Sequence, residues 1–125
     1  PMTFTIQYNA DLGIIESTLM NHVTPQEIRV GIIDAIVLSK EENTCRFLCD
    51  LTLVSSPISM INLYDLPKQF VSQGLSRTTR TAVLPPSSKS SKEKADFYET
   101  VCTNRGWKVN IFEGREAAIN WLLNG

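Results

Sequence analysis

Three cysteines, one histidine, a few carboxylates and one loop rich in serine and lysine are the side chains of this 125-residue sequence with the types needed for chemistry. Cys45 and Cys49 stand four apart, Cys102 lies far along the chain, and His22 is the sole histidine. Nucleophilic catalysis needs a base within reach of a hydroxyl or thiol. A single histidine in a turn, with no G-x-S-x-G elbow and no catalytic-cysteine signature, does not assemble that machinery. A zinc site fails for a related reason, because the cysteines and His22 lack the paired spacing of tetrahedral ligands. The thiols read as buried structural groups, and neither a metal nor a cofactor is expected.

Asp50 and Asp65 are the remaining acid–base candidates. Asp50 closes an apolar run and suits backbone hydrogen bonding at a strand exit, whereas Asp65 suits the cap of a fresh helix, so neither is expected to be catalytic. A phosphate-binding loop needs glycines that let backbone amides approach the anion, and the segment from Pro85 to Lys94 has none. Ser87, Ser88 and Lys89, at a helix start, form at most a weak site for phosphate or sulfate. Solvation alone accounts for a polar loop there.

The elements that must position these residues follow from periodicity. Thr3–Tyr8 and Leu12–Thr18 read as a hairpin. Thr24-Pro25-Gln26-Glu27 combines a capping hydroxyl, a proline at the first helical position and an acid three residues after the cap. Behind it Ile28, Ile32, Ile33, Ile36 and Val37 fall at helical spacing, predicting an amphipathic helix that ends near Lys40–Asn43. Cys45–Cys49 is a short apolar run of the kind found in a strand buried on both faces. Pro67 divides the stretch from Ser56 to Gln73 into two short helices.

Thr81–Leu84 predicts another buried strand, and a helix follows from about Lys92 to Arg105, with Gly106 at a left-handed C-cap. Trp107–Phe112 alternates as a last strand, and Arg115–Leu123 closes the chain as a helix. Repeated strand–helix–strand units demand parallel pairing with right-handed crossovers. The fold class expected is therefore α/β, with a single five-stranded mixed, mostly parallel sheet covered by four to five helices.

A length of 125 residues suits one domain, here residues 2–125, with Pro1 before Met2 reading as a cloning remnant. Hydrophobic residues make up 42% and charged residues 20%, a balance that supports a packed core rather than disorder. The formal charge of −1 supplies no field for phosphate backbones, so nucleic acid is not an expected partner. No apolar run approaches the ~20 residues of a membrane span, and the unpaired-looking cysteines fit a reducing, cytoplasmic compartment.

Arg80-Thr81-Ala82-Val83-Leu84, Phe97-Tyr98-Glu99-Thr100-Val101, Asn104-Arg105-Gly106-Trp107, Val109-Asn110-Ile111-Phe112 and Glu116–Leu122 resemble the SpoIIAA-like family of small bacterial proteins. The likeness extends weakly to Thr24–Ile36 and Phe47–Asp50. It implies a STAS-like fold, as in sulfate transporters and anti-sigma-factor antagonists, with a more distant relation to lipid-binding CRAL-TRIO proteins. It also implies a non-enzymatic interaction module with an unidentified protein partner.

In the antagonists a serine after the central strand is phosphorylated, which breaks the partner interface by adding charge. The matching region here, Asp50–Ser59, contains Ser55, Ser56 and Ser59 but lacks the flanking aspartate and glycine of the antagonists, and helix capping is the plainer role for the pair Ser55 and Ser56. The relation to lipid carriers implies a second reading, in which Ile58, Ile61, Leu63 and Tyr64 of the broken helix line a site for a lipid or other apolar ligand. A homodimer burying part of that stripe is a third expectation.

Overall fold

The computed structural model describes residues 2–124; Pro1, with its reading as a cloning remnant, and Gly125 lie outside the described residues. Strands β1 (Phe4–Asn9) and β2 (Ile14–Asn21) form an antiparallel hairpin. β3 (Arg46–Val54), β4 (Arg80–Leu84) and β5 (Lys108–Ile111) then add in parallel, giving the spatial order β1-β2-β3-β4-β5. The connections carry helices α1 (Pro25–Glu41), α2 (Met60–Asp65), α3 (Lys68–Ser72) and α4 (Lys89–Asn104), and α5 (Arg115–Asn124) follows β5. The chain is thus an α/β protein with one mixed, mostly parallel sheet.

Both faces of the central strands are covered, which is why their sequences read as continuous apolar runs. Ile15, Phe47 and Val83 pack with Ala35 and Ile36 of α1, Phe70 of α3 and Cys102 of α4. Their chain neighbours Ile14, Leu48, Ala82 and Leu84 point the other way and pack with Ala118 and Leu122 of α5. A third cluster, Leu19, Val23, Ile28, Leu63 and Leu66, joins the far end of β2 to α1 and α2.

α1 begins where the sequence places it. The Glu27 amide donates to Thr24 Oγ1 at 3.1 Å and the Thr24 amide donates to Glu27 Oε1 at 2.9 Å, a reciprocal capping box. Thr3 Oγ1 donates to the other Glu27 oxygen at 2.6 Å, so the cap also anchors the lead into β1. At the far end of α4, Gly106 takes the positive φ of +86° that a left-handed cap requires. That turn delivers Trp107 into the core, edge-on to Phe70 at 5.1 Å and beneath the Arg77 guanidinium at 3.8 Å.

The last carbonyls of α5 are satisfied by arginines from the sheet. Arg46 Nε donates to Leu122 O at 2.9 Å, and Arg80 NH1 donates to Trp121 O at 3.1 Å. Arg46 and Arg80 are register partners across β3 and β4, so one step of the ladder grips the helix.

Among the boundaries that differ from the sequence reading, three have a clear local reason. β3 runs on past Asp50 to Val54. Its register against β2 moves from Thr18↔Asp50 to Met20↔Leu53, a bulge of one extra residue, and Asp50 Oδ1 accepts from the Thr52 amide at 2.9 Å and from Thr52 Oγ1 at 2.6 Å. Asp50 therefore braces a bulge within the strand. α4 starts at Lys89, a turn before Lys92, because Ser88 caps it by accepting from the Ser91 amide at 3.2 Å. Asp65 is the last residue of α2 and not the cap of α3, which starts after Pro67; its carboxylate pairs with Lys68 at 3.0 Å. Among the described residues no helix is long and apolar enough to cross a membrane.

Candidate ligand-binding site

A cavity of about 130 Å³ lies between the sheet and the helices α1, α2 and α4. Its floor is the inward face of the strands, with Ile6 from β1, Leu19 from β2, Phe47, Cys49 and Leu51 from β3, and Val83 from β4. One wall is the face of α1 carrying Ile28, Gly31, Ile32 and Ala35, residues at i, i+3, i+4 and i+7. Leu63 of α2 and Leu66, which follows the helix, form the cover, with Ile58 ahead of them.

The fourth side is a stripe of α4, Ser91, Lys94, Ala95 and Tyr98, again at i, i+3, i+4 and i+7. Polar character gathers at one end of the space. Ser56 and Pro86 follow the C-terminal ends of β3 and β4, and Ser91 and Lys94 lie in the first two turns of α4; all four are half-buried. Ser17 and Thr81 add hydroxyls to a floor that is otherwise carbon and sulfur.

The thiol and the phenol that line this space, Cys49 and Tyr98, are held neutral. Burial, with a smaller push from the Asp50 carboxylate, raises the Cys49 thiol to about 12. Burial likewise raises Cys102 to about 12, and it drives the Tyr98 phenol upward together with its neighbour Cys102. The cavity offers a binding surface and no activated nucleophile.

The residues singled out from sequence fall in different places. Ile58 and Leu63 line the cavity, whereas Ile61 and Tyr64 turn outward, 78% and 52% exposed, because positions two before and one after Leu63 lie off its helix face, and the two, three apart, share the outer one. Tyr64 lies under the Arg105 guanidinium, 4.3 Å from its ring centroid. Ser59, not Ser55 or Ser56, caps α2, accepting from the Asn62 amide at 3.3 Å. Ser56 donates to Val23 O at 3.1 Å and borders the cavity, while Ser55 is exposed and its amide donates to Asn21 O at 2.9 Å. Ser88 accepts the Ser91 amide, and Ser87 and Lys89 beside it are exposed.

Sequence reasoning missed the α4 stripe, although the spacing of Ser91, Lys94, Ala95 and Tyr98 was its signal; a helix started at Lys92 leaves its first residue in a loop. On the opposite face of the sheet, Arg115 makes two bonds to Glu16, at 2.6 and 2.8 Å, and Asn9 Nδ2 donates to Glu16 at 2.8 Å. That group joins α5 to the hairpin. Among the described residues no three His, Cys, Asp or Glu side chains are grouped to hold a metal. No family model matches the chain, and no curated protein matches it.

Proposed function

We propose that this protein is a binding module for a small apolar molecule, held between the sheet and α1, α2 and α4. The observation that carries the reading is the cavity of about 130 Å³ with walls almost wholly of carbon. Native interiors leave few voids larger than a water molecule, and an apolar void of this size forgoes dispersion contacts that a ligand restores. Gly31 adds support. It stands in the middle of α1 at the cavity wall, where an added Cβ would meet the Phe4 ring at an ordinary 3.7 Å. Alanine fits there and would favour the helix by about 1 kcal/mol, so helix stability does not account for a glycine at the cavity wall.

Native mass spectrometry of gently purified protein tests the proposal, together with thermal shifts on adding short alkanes and alcohols. A bound apolar molecule, or a shift abolished by Leu63→Trp, is the expected result. Protein that is empty and indifferent to every such ligand removes it.

A second reading, a non-enzymatic interaction module of the kind the SpoIIAA-like resemblance implies, is favoured by the outer side of α2. Met60, Ile61 and Tyr64 are exposed there while Leu63 of the same helix is buried, so α2 is apolar on both sides, and such a helix ordinarily has cover on both. A second copy of the chain, meeting across a two-fold axis, would bury that outer side. Sedimentation analysis checks this: Ile61→Ser should turn a dimer into a monomer, and a wild-type monomer at high concentration rules it out. The kinship itself rests on motifs that fall on β4, α4, β5 and α5, and Ser55, exposed beside α2, is the serine of the region best placed for modification.

A further inference from the structure

Apart from the floor hydroxyls of Ser17 and Thr81, the polar groups of the cavity lie at one end, and the group there that carries a formal charge is Lys94. Ser56 and Ser91 line the same end, at the C-terminal edge of β3 and in the first turn of α4. Lys94 forms no ion pair among the described residues, although Lys92, Lys68 and Arg115 each have a carboxylate partner. A cation at the rim of a carbon-lined space attracts an anion there better than in water, since the surroundings screen it less. The Ser91 hydroxyl is a donor suited to the same anion, while the Ser56 proton is already given to Val23 O.

The shape sets the other end of the ligand. Lining residues follow β3 from Phe47 to Val54, seven steps of about 3.3 Å each, so the space is drawn out along the strand. An elongated space favours an unbranched chain over a ring system. Its volume of about 130 Å³ is close to the ~150 Å³ of an apolar protein cavity that accepts one benzene, which limits the buried part to about six carbons.

We infer that the ligand is a medium-chain carboxylate, an unbranched acid whose tail of about six carbons lies along β3 and whose head meets Lys94 and Ser91. The inference rests on the apolar-ligand reading above and adds the charge of the head and the length of the tail. Two-tailed lipids and acids of full membrane length exceed the space beneath α2.

Isothermal titration of the full chain with hexanoate, octanoate, hexadecanoate, 1-octanol and octylammonium tests each part. Affinity should rise about fourfold per methylene up to octanoate and gain nothing more at hexadecanoate. Octanoate should bind about tenfold tighter than 1-octanol, with octylammonium weakest. Lys94→Gln should erase the advantage of octanoate over 1-octanol, and Lys94→Arg should retain most of that advantage. Equal binding of octanoate and 1-octanol, or a Lys94→Gln variant that weakens both alike, overturns the carboxylate head while the apolar-ligand reading stands. Stronger binding of hexadecanoate overturns the length limit, and failure of octanoate and 1-octanol alike overturns the parent reading and this inference with it.

Discussion

Arg105, at the C-terminal cap of α4, grips Tyr64 of α2 twice: its guanidinium lies 4.3 Å from the ring centroid, and its NH1 donates to the Tyr64 carbonyl at 3.0 Å. The six residues of α2 bury only Leu63, so this clamp from a neighbouring helix supplies a large share of what holds the cavity cover in place.

Removing the clamp should loosen the cover and little else. Arg105→Met keeps the aliphatic stem and deletes the cation–π contact and the hydrogen bond, worth about 0.5–1 kcal/mol at an exposed site. Amide hydrogen exchange in α2 should then run about two- to fivefold faster, with β4 unchanged. Ligand dissociation should quicken with it. Identical exchange in α2 of both proteins would show that the cover is held by Leu63 and Leu66 alone.

Gly31→Ala separates stability from capacity. The substitution relieves the entropic cost of glycine in a helix interior, and its methyl meets Phe4 at 3.7 Å, ordinary van der Waals contact. Urea unfolding should show a gain of about 0.5–1 kcal/mol. Because Gly31 lines the cavity, the same variant should bind apolar ligands more weakly. A destabilised variant would mean that the helix face is already packed to its limit.

The hydrophobic period made the sheet and its helices legible, because covered strands and one-sided helices leave strong sequence patterns. Thr24, Pro25 and Glu27 marked the start of α1, and Gly106 marked the turn into β5, since each satisfies a local backbone need that few residues meet. The bulge at Asp50 left no such mark. Asp-Leu-Thr is compatible with a strand exit as much as with a side chain bonding two residues ahead, and pairing with β2 decides between them. The site was half legible for the same reason. Ile58 and Leu63 were named from their composition, but Ile61 and Tyr64 share it and face outward. Which apolar residues of α2 turn inward depends on its packing against α4, which sequence spacing alone does not bring to it.

The three thiols should differ sharply in reactivity. Cys45 is exposed at the entry to β3, while Cys49 and Cys102 are each pushed up to about 12 by burial. A neutral alkylating reagent at about pH 8 should modify Cys45 alone in the folded protein and all three in urea, as peptide mass mapping would reveal. Cys49 borders the cavity, so a bound ligand should slow its residual labelling further. Rapid native labelling of Cys49 would contradict the burial that raises its thiol.

Acid should weaken the hold of α5 on the hairpin. The two bonds from Arg115, joined by one from Asn9, hold the Glu16 carboxyl below its ordinary value of 4.5 against the opposing effect of burial. A depressed carboxyl contributes stability that is present above its unfolded value and lost as pH falls through the folded one. Arg115 is raised above its ordinary value by the same contact and so stays charged throughout this range. Glu16→Gln should therefore cost about 1 kcal/mol near neutral pH, as expected for a two-bond arginine–carboxylate pair at the edge of solvent. That difference should fade as pH drops below 4.5. Glu27 is also depressed, by Thr3 and by the Thr24 cap, so the variant should keep a weaker acid sensitivity of its own. Urea midpoints measured across the acid range decide it: parallel curves for the two proteins would show that the Glu16 pair adds nothing to stability.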